Sequence, residues 1–277
     1  MRFPGLGALS PRRRLFVALS LVAILAAVCA AVAPSVVADL ADNPPSTAGY
    51  PAQDQPGPVL LVPGYGGDTS SLTVLADRIR ATGRQATVVS LPDGGIGDIA
   101  VQAGVLNGYV NAALRGASSV DIVGYSAGGV VTLQWLEQYQ GASKVRRVVT
   151  FGSPFQGTTL ASAGAALGPA VCPTACQQLI PGSSLLTRLG DTVPSAGHPP
   201  WLSLWTTADQ TVVPPDSARL GGAVNVPLQS VCPDDQSAHG DLPTDDLVIG
   251  LVLRDLGTAP PVTPTAADCS ALRALSR

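Results

Sequence analysis

The sequence predicts an α/β protein built on a mostly parallel central sheet of about six strands flanked by helices, and three observations lead to it. From residue 58 to about 256, short apolar runs closed by turn residues alternate with longer amphipathic stretches, the rhythm of strands joined by helical crossovers. The strand runs are apolar almost throughout, as strands covered on both faces are. Hydrophobic residues make up 46% of the 277 and charged residues only 13%, so the chain can bury one sizeable core. The 30 glycines and 25 prolines supply the tight turns that many short elements need.

Taken in order, the first strand is expected at Val59 to Val62, stopped by Pro63-Gly64, and the second at Ala86 to Leu91, stopped by Pro92. Leu106, Tyr109, Val110, Ala113 and Leu114 then recur at helical spacing and make one apolar stripe. A third strand fits Val120 to Tyr125, a helix runs from about Ala127 to Tyr139, and a fourth strand fits Arg147 to Gly152. Residues 155–200 break the rhythm with an Ala-, Leu-, Gly- and Pro-rich excursion too long for a tight connection, read here as a small cap-like insertion. Strands five and six are expected at Leu202 to Thr206 and Val224 to Leu228. A last helix, Thr244 to Leu256, has Thr244 as candidate N-cap and Asp245 and Asp246 in the first turn, where acids complement the helix dipole.

The N-terminus is organised differently. Four of the 16 basic residues, Arg2, Arg12, Arg13 and Arg14, precede the first acid, Asp39, and residues 15–33 run without a charge. That is the layout of a signal peptide, and the apolar run is also long enough to stay as a membrane anchor. Residues 1–38 are assigned to this signal peptide or N-terminal anchor, 39–57 to a Pro-, Asp- and Ser-rich linker, and 58–277 to the folded domain. Arg13-Arg14-Leu15-Phe16-Val17 admits a twin-arginine route beside the ordinary secretory one. With those four arginines removed from the 16, 12 basic residues face 19 acidic ones, a net charge of −7, which leaves no basic patch for nucleic acid.

Cysteine usage agrees with an exported protein. Cys29 lies in the apolar run, leaving Cys172, Cys176, Cys232 and Cys269, an even set. The short spacing favours a Cys172–Cys176 disulfide, which leaves Cys232–Cys269 to pin the C-terminal tail. Zinc is the rival reading, but no histidine stands at ligand spacing beside either pair, and no metal is expected.

The chemistry is carried by Gly124-Tyr125-Ser126-Ala127-Gly128, a G-x-S-x-G run that follows an apolar strand and opens a helix. Its glycines allow a turn sharp enough to expose the Ser126 hydroxyl as a nucleophile. The Ala127 amide at the helix start and the Tyr65 amide in Pro63-Gly64-Tyr65-Gly66-Gly67 are the two expected donors of an oxyanion hole. No G-K-[ST] and no dinucleotide spacing is present, so a phosphate loop is excluded. A serine needs a base, and there are only two histidines. His239 follows the sixth strand, in the order nucleophile, acid, base that such an elbow carries, whereas His198 precedes the fifth. Asp209, closing the fifth strand, is the expected orienting acid, ahead of Asp216, Asp234 and Asp235.

Together VPGYGG, GYSAGG, FGSPFQGT from Phe151 to Thr158, TTADQTVVPP and HGDL resemble bacterial secreted triacylglycerol lipases and esterases of the α/β-hydrolase superfamily, over roughly Pro58 to Leu256. The resemblance implies an α/β-hydrolase fold, a Ser126, Asp209, His239 triad and oxyanion donors at Tyr65 and Ala127. One departure is Pro63-Gly64, where many such lipases have His-Gly; Gly152-Ser153-Pro154 resembles a turn of structural purpose in the family. The function expected is hydrolysis of lipid or other hydrophobic acyl esters through an acyl-enzyme, without a cofactor, with a membrane or lipid interface as a possible partner. An envelope acyltransferase using the same triad and a non-catalytic binding protein on a hydrolase scaffold are the alternatives.

Overall fold

The computed structural model describes residues 49–190 and 199–277; the apolar N-terminal segment, the first part of the linker and His198 lie outside the described residues. The strands are β1 (Val59–Val62), β2 (Ala86–Val88), β3 (Val120–Tyr125), β4 (Val145–Phe151), β5 (Trp201–Trp205) and β6 (Val224–Pro227). They form one sheet in the order β2-β1-β3-β4-β5-β6, every neighbouring pair parallel. The helices are α1 (Ser70–Ala81), α2 (Ile99–Ala113), α3 (Ala127–Gln138), α4 (Thr159–Ala166), α5 (Thr174–Gln178), α6 (Ser184–Gly190), α7 (Asp246–Asp255) and α8 (Cys269–Leu275). After β1 the chain goes to β2 on one side and then crosses to β3 on the other, so the strand order reverses between β1 and β3. In parallel sheets a binding crevice opens at the carboxyl ends beside that reversal.

Both faces of the sheet are covered, which is why its strands are apolar almost throughout. Leu60, Val62, Val120, Ile122 and Val148 pack with residues of α2 and α3. The alternate positions Val59, Leu61, Val123, Val149 and Phe151 pack with α1, α7 and Leu272 of α8. Period-two alternation therefore assigns side chains to two cores instead of to core and solvent. Helix α1 is the crossover expected between the first two strands, for which no bounds were assigned; its buried Leu72, Leu75, Ala76 and Ile79 have helical spacing.

Two boundaries differ from expectation for identifiable reasons. The last helix starts at Asp246 and is capped by Asp245, whose carboxylate accepts from the amides of Leu247 and Val248 at 2.9 Å each. A carboxylate satisfies two first-turn amides and complements the dipole, which a threonine hydroxyl does less well; Thr244 instead ends a 3-10 turn from His239. Strand β4 begins at Val145 and so carries Arg146 and Arg147 wholly buried inside it.

Those arginines belong to an ionic network at the end of the sheet away from the crevice. Buried Asp121 of β3 accepts from Arg146 Nε at 3.0 Å and Nη2 at 2.5 Å, and from Arg84 Nη2 at 2.7 Å. Arg146 also donates to the carbonyls of Gln53, Leu256 and Gly257, and Arg147 to Gln53 Oε1 at 3.0 Å. The chain is thus bonded to the sheet from Gln53 onward, ahead of Pro58. The Asp255 carboxyl, with Oδ2 unpartnered, is pushed up to about 6, chiefly by burial. Between about pH 4 and pH 6 the folded chain then holds a proton that the unfolded chain has released, so this group makes stability fall as pH rises. At 1.36 kcal/mol per pH unit the full cost above pH 6 is about 3 kcal/mol. Relative to wild type, Asp255→Asn is expected to gain unfolding free energy at pH 8 and to lose that gain by pH 4. Urea titrations at the two pH values measure this, and an equal difference at both would contradict it.

Both expected disulfides are present, Cys172–Cys176 and Cys232–Cys269. The second spans 37 residues and ties α8 to the chain after β6, a closure worth about 4 kcal/mol. Among the described residues no helix is long and apolar enough to cross a membrane.

Candidate active site

Strand β3 ends at Tyr125 and α3 starts at Ala127, so the whole change of direction falls on Ser126. Its backbone sits at φ 54° and ψ −127°, a region that costs a non-glycine residue about 1–3 kcal/mol. Two backbone bonds hold it there: Ser126 N–H donates to the Phe151 carbonyl and Gly129 N–H donates to the Ser126 carbonyl, each at 3.0 Å. Sheet pairing and the first helical turn thereby impose the strain that lifts the hydroxyl clear of the backbone.

Ser126 Oγ lies 3.0 Å from His239 Nε2, and His239 Nδ1 lies 2.7 Å from Asp209 Oδ2. The other carboxylate oxygen of Asp209 accepts from the amides of Thr211 and Val212 at 2.8 Å each. A carboxylate only accepts, so the proton of a neutral imidazole belongs on Nδ1, and the Nε2 lone pair is left to accept from the serine hydroxyl. All three side chains are buried, in surroundings where such charge-assisted bonds are strong. The three come from the ends of β3 and β5 and from the turn after β6, brought to one edge by the parallel order of the sheet.

The expected oxyanion donors lie beside Ser126. Ala127 is the first residue of α3, where amides have no acceptor within the helix. A side chain on Gly64 would put its Cβ 2.8 Å from Ser126 Cβ, so the turn carrying Tyr65 is pressed directly against the serine and admits only glycine there. The rival acids go elsewhere: Asp216 is exposed, and Asp234 and Asp235 face Arg273 at 2.8 and 3.6 Å.

The supporting contacts of three residues escaped the sequence reading. Tyr125 OH donates to the His239 carbonyl at 3.1 Å, and its ring lies 5.2 Å from the imidazole and 5.4 Å from Phe151. Burial and then the charge of Asp209 push the Tyr125 phenol to about 12, so it stays a donor at neutral pH. Gly152, at φ 60°, leaves the room that the imidazole fills; a Cβ there would sit 3.0 Å from the ring. Gln229 donates to Thr206 Oγ1 at 3.0 Å and to the Asp235 carbonyl at 3.2 Å while accepting from Thr207 N–H, clamping the turn of Asp209 to the loop of His239. The only advance signal was position: Tyr125 and Gly152 stand inside motifs already singled out, which do not announce their contacts with His239, whereas nothing local marks Gln229.

Ser126 opens into an apolar cavity of about 410 Å³. Its lining includes Tyr65, Leu160, Gly164, Leu167, Leu179 and Val212, so helix α4, within the expected insertion, forms one wall. Thr158 ties the start of α4 to the Asp209 loop, donating to the Thr211 carbonyl at 2.7 Å and accepting from Val213 N–H at 3.0 Å.

The architecture and the position of the serine elbow are those of the α/β-hydrolase fold. Among solved structures, the chain is similar to Aspergillus fumigatus lipase B, with a TM-score of 0.60 and 18% identity over 83% of this chain and 63% of that one, less than two thirds of its length. A structure from work on LipS and LipT, two metagenome-derived lipolytic enzymes, matches with a TM-score of 0.57 at 14% identity, covering 75% of this chain and 98% of that one. Bacillus licheniformis lipase BlEst2 in its mature form gives 0.56 at 19% identity, covering 75% and 94%. No protein-family model and no curated protein matches the sequence. At these identities the shared property is the fold.

Proposed function

We propose that the chain is an exported serine hydrolase that cleaves lipid or other hydrophobic carboxylic esters through an acyl-enzyme. The observation that carries this reading is the hydrogen-bonded chain Asp209–His239–Ser126 opening onto an apolar cavity. In the first half-reaction Ser126 Oγ attacks the ester carbonyl carbon and its proton passes to His239 Nε2. The oxyanion is held by the amides of Tyr65 and Ala127, and Asp209 stabilises the imidazolium. Collapse breaks the bond to the alcohol, which leaves with the proton from His239. Water, deprotonated by the same imidazole, then releases the acid and restores the serine. The lipolytic neighbours support an ester as substrate, and the apolar walls support a hydrophobic acyl group. The two disulfides and the basic-then-apolar N-terminus support export.

The test is covalent capture: a fluorophosphonate is expected to add one phosphonyl group to the protein, located on Ser126 by peptide mass spectrometry. A protein that remains unlabelled and leaves p-nitrophenyl esters of two to twelve carbons intact would refute the assignment.

A further inference from the structure

The turn that carries the Tyr65 amide is held from two sides. On one side Gly64 is pressed against Ser126, where an added Cβ would stand 3.4 Å from the hydroxyl oxygen. On the other side the turn meets a second one, Asp93-Gly94-Gly95, whose three residues run at φ 52°, 64° and 69°. A Cβ on Gly67 would lie 2.7 Å from Gly94 Cα, and one on Gly95 would lie 3.2 Å from the Gly64 carbonyl oxygen. Backbone thus packs directly on backbone, and a retreat of the second turn would open room for residues 64–67 to shift away from Ser126.

The second turn is in turn held by Gln102, the fourth residue of α2 and buried. Its side chain points back to the loop before the helix, with Nε2 donating to the Gly95 carbonyl at 3.0 Å and to the Gly97 carbonyl at 2.8 Å. The other buried residues of α2, Ile99, Ala103, Leu106 and Val110, are apolar, and an amide buried among them is unfavourable unless its hydrogen bonds are made. The end of the loop is fixed independently: the Ile96 carbonyl accepts from Ala175 N–H at 3.0 Å, and Asp98 caps α2 by accepting from the Ala100 amide at 2.6 Å. The freedom that remains belongs to the turn itself, where Asp93 sits in a backbone region unfavourable for a non-glycine residue, and the two bonds of Gln102 remove it.

We propose that Gln102 is a positioning residue for the oxyanion hole: by bonding the Gly95 and Gly97 carbonyls it sets the Asp93-Gly94-Gly95 turn as a stop behind residues 64–67 and so fixes the Tyr65 amide beside Ser126. This rests on the ester-hydrolase reading. Gln102 touches no substrate; it acts through two layers of backbone. Its loss therefore weakens the hold on the oxyanion and leaves the apolar cavity, which it does not line, as it was.

The experiment measures kcat/KM on p-nitrophenyl butyrate, and Ki for a trifluoromethyl ketone and a methyl ketone of the same alkyl chain, in the full chain and its variants Gln102→Met and Gln102→Asn. With the first ketone Ser126 Oγ bonds to the carbonyl carbon, the C=O π pair becomes an oxyanion in the hole and the serine proton passes to His239 Nε2; the second binds without adding. In Gln102→Met, which keeps the length but has no donor, kcat/KM is expected to fall roughly ten- to a hundredfold, since a displacement of about 1 Å costs up to about a hundredfold. Ki for the trifluoromethyl ketone is expected to rise by the same factor and Ki for the methyl ketone to stay within about twofold. Gln102→Asn, its amide one methylene short, is expected to lose less, with kcat/KM and the first Ki still moving together. Neither Ki depends on how much of a sample is folded, so a merely structural role lowers the rate and leaves both Ki values alone. That result, an equal rise in both Ki values, or an unchanged kcat/KM overturns the proposal. Should Gln102→Met fail to fold, Gln102→Asn decides by the same comparison. A wild-type protein that neither hydrolyses the ester nor prefers the trifluoromethyl ketone defeats the hydrolase reading, and this proposal with it; a wild type that does both, beside variants that fail the comparison, defeats only the role of Gln102.

Discussion

Ser126→Ala is expected to lower kcat on a hydrophobic p-nitrophenyl ester by a factor on the order of 10⁵ to 10⁶, with the fold intact. Under the proposed mechanism the loss is that large because the hydroxyl is the attacking atom, and what remains is the rate that oxyanion donors and binding sustain with water as nucleophile. His239→Ala is expected to cost a similar factor, and the double variant little more than either single one, because each of the two is useless without the other. Asp209→Asn is expected to cost about 10⁴-fold for a different reason: the amide NH₂ facing Nδ1 favours the tautomer whose Nε2 carries the proton, which cannot receive one from serine. Steady-state kinetics at protein concentrations set by absorbance, with folding checked by circular dichroism, measures all four. A Ser126→Ala protein retaining a tenth of wild-type kcat would show that the hydroxyl, 3.0 Å from His239 Nε2, is not the nucleophile.

The largest expected loss of stability lies at the other end of the same strand. Asp121→Ala removes the carboxylate that pairs with Arg146 and Arg84 and leaves a fully buried guanidinium without its counter-charge. Breaking a buried pair from one side costs about 3–5 kcal/mol, more than the intact pair contributes over an apolar replacement. For a domain of this size that is a fall in Tm on the order of 10 °C. Because Asp121 and Ser126 stand at opposite ends of β3, roughly 16 Å apart at the rise of an extended strand, kcat per folded molecule should be retained. Thermal unfolding by circular dichroism with active-site titration tests both halves, and a Tm within 2–3 °C of wild type would mean the network is not stabilised by this charge.

The two sites also differ in how far the sequence announced them. Ser126 was legible because an elbow is a local object: five consecutive residues between a strand and a helix contain everything the turn needs. His239 and Asp209 are 113 and 30 residues from their partners, yet remained nameable because the histidine choice was between two and the parallel sheet sets the order of its loops. Asp121 was not legible. It interrupts an apolar strand by one residue, and its meaning depends on Arg84 and on Arg146, 25 residues later. Helix α1 was expected as a crossover but not delimited although its spacing is regular, and the choice of Asp245 over Thr244 as cap turned on which side chain reaches two amides at once.

What the sequence determined by itself is whatever neighbouring residues decide: the alternation of strand and helix, the elbow at Ser126, the turns, and the candidate nucleophile, base and acid with the chain order that relates them. What only the tertiary structure decided is whatever needs residues from distant segments at one point. Examples are the clamp of Gln229 between two loops, the Tyr125 bond to the His239 carbonyl, the burial of Asp121 among arginines, and the apolar cavity lined by Ser126, Tyr65 and residues of α4. The physical reason is the range of the forces: propensity and periodicity act within a few residues and are written in order along the chain, whereas packing and buried electrostatics act across a few ångströms of space and become readable only once the strands have been laid side by side.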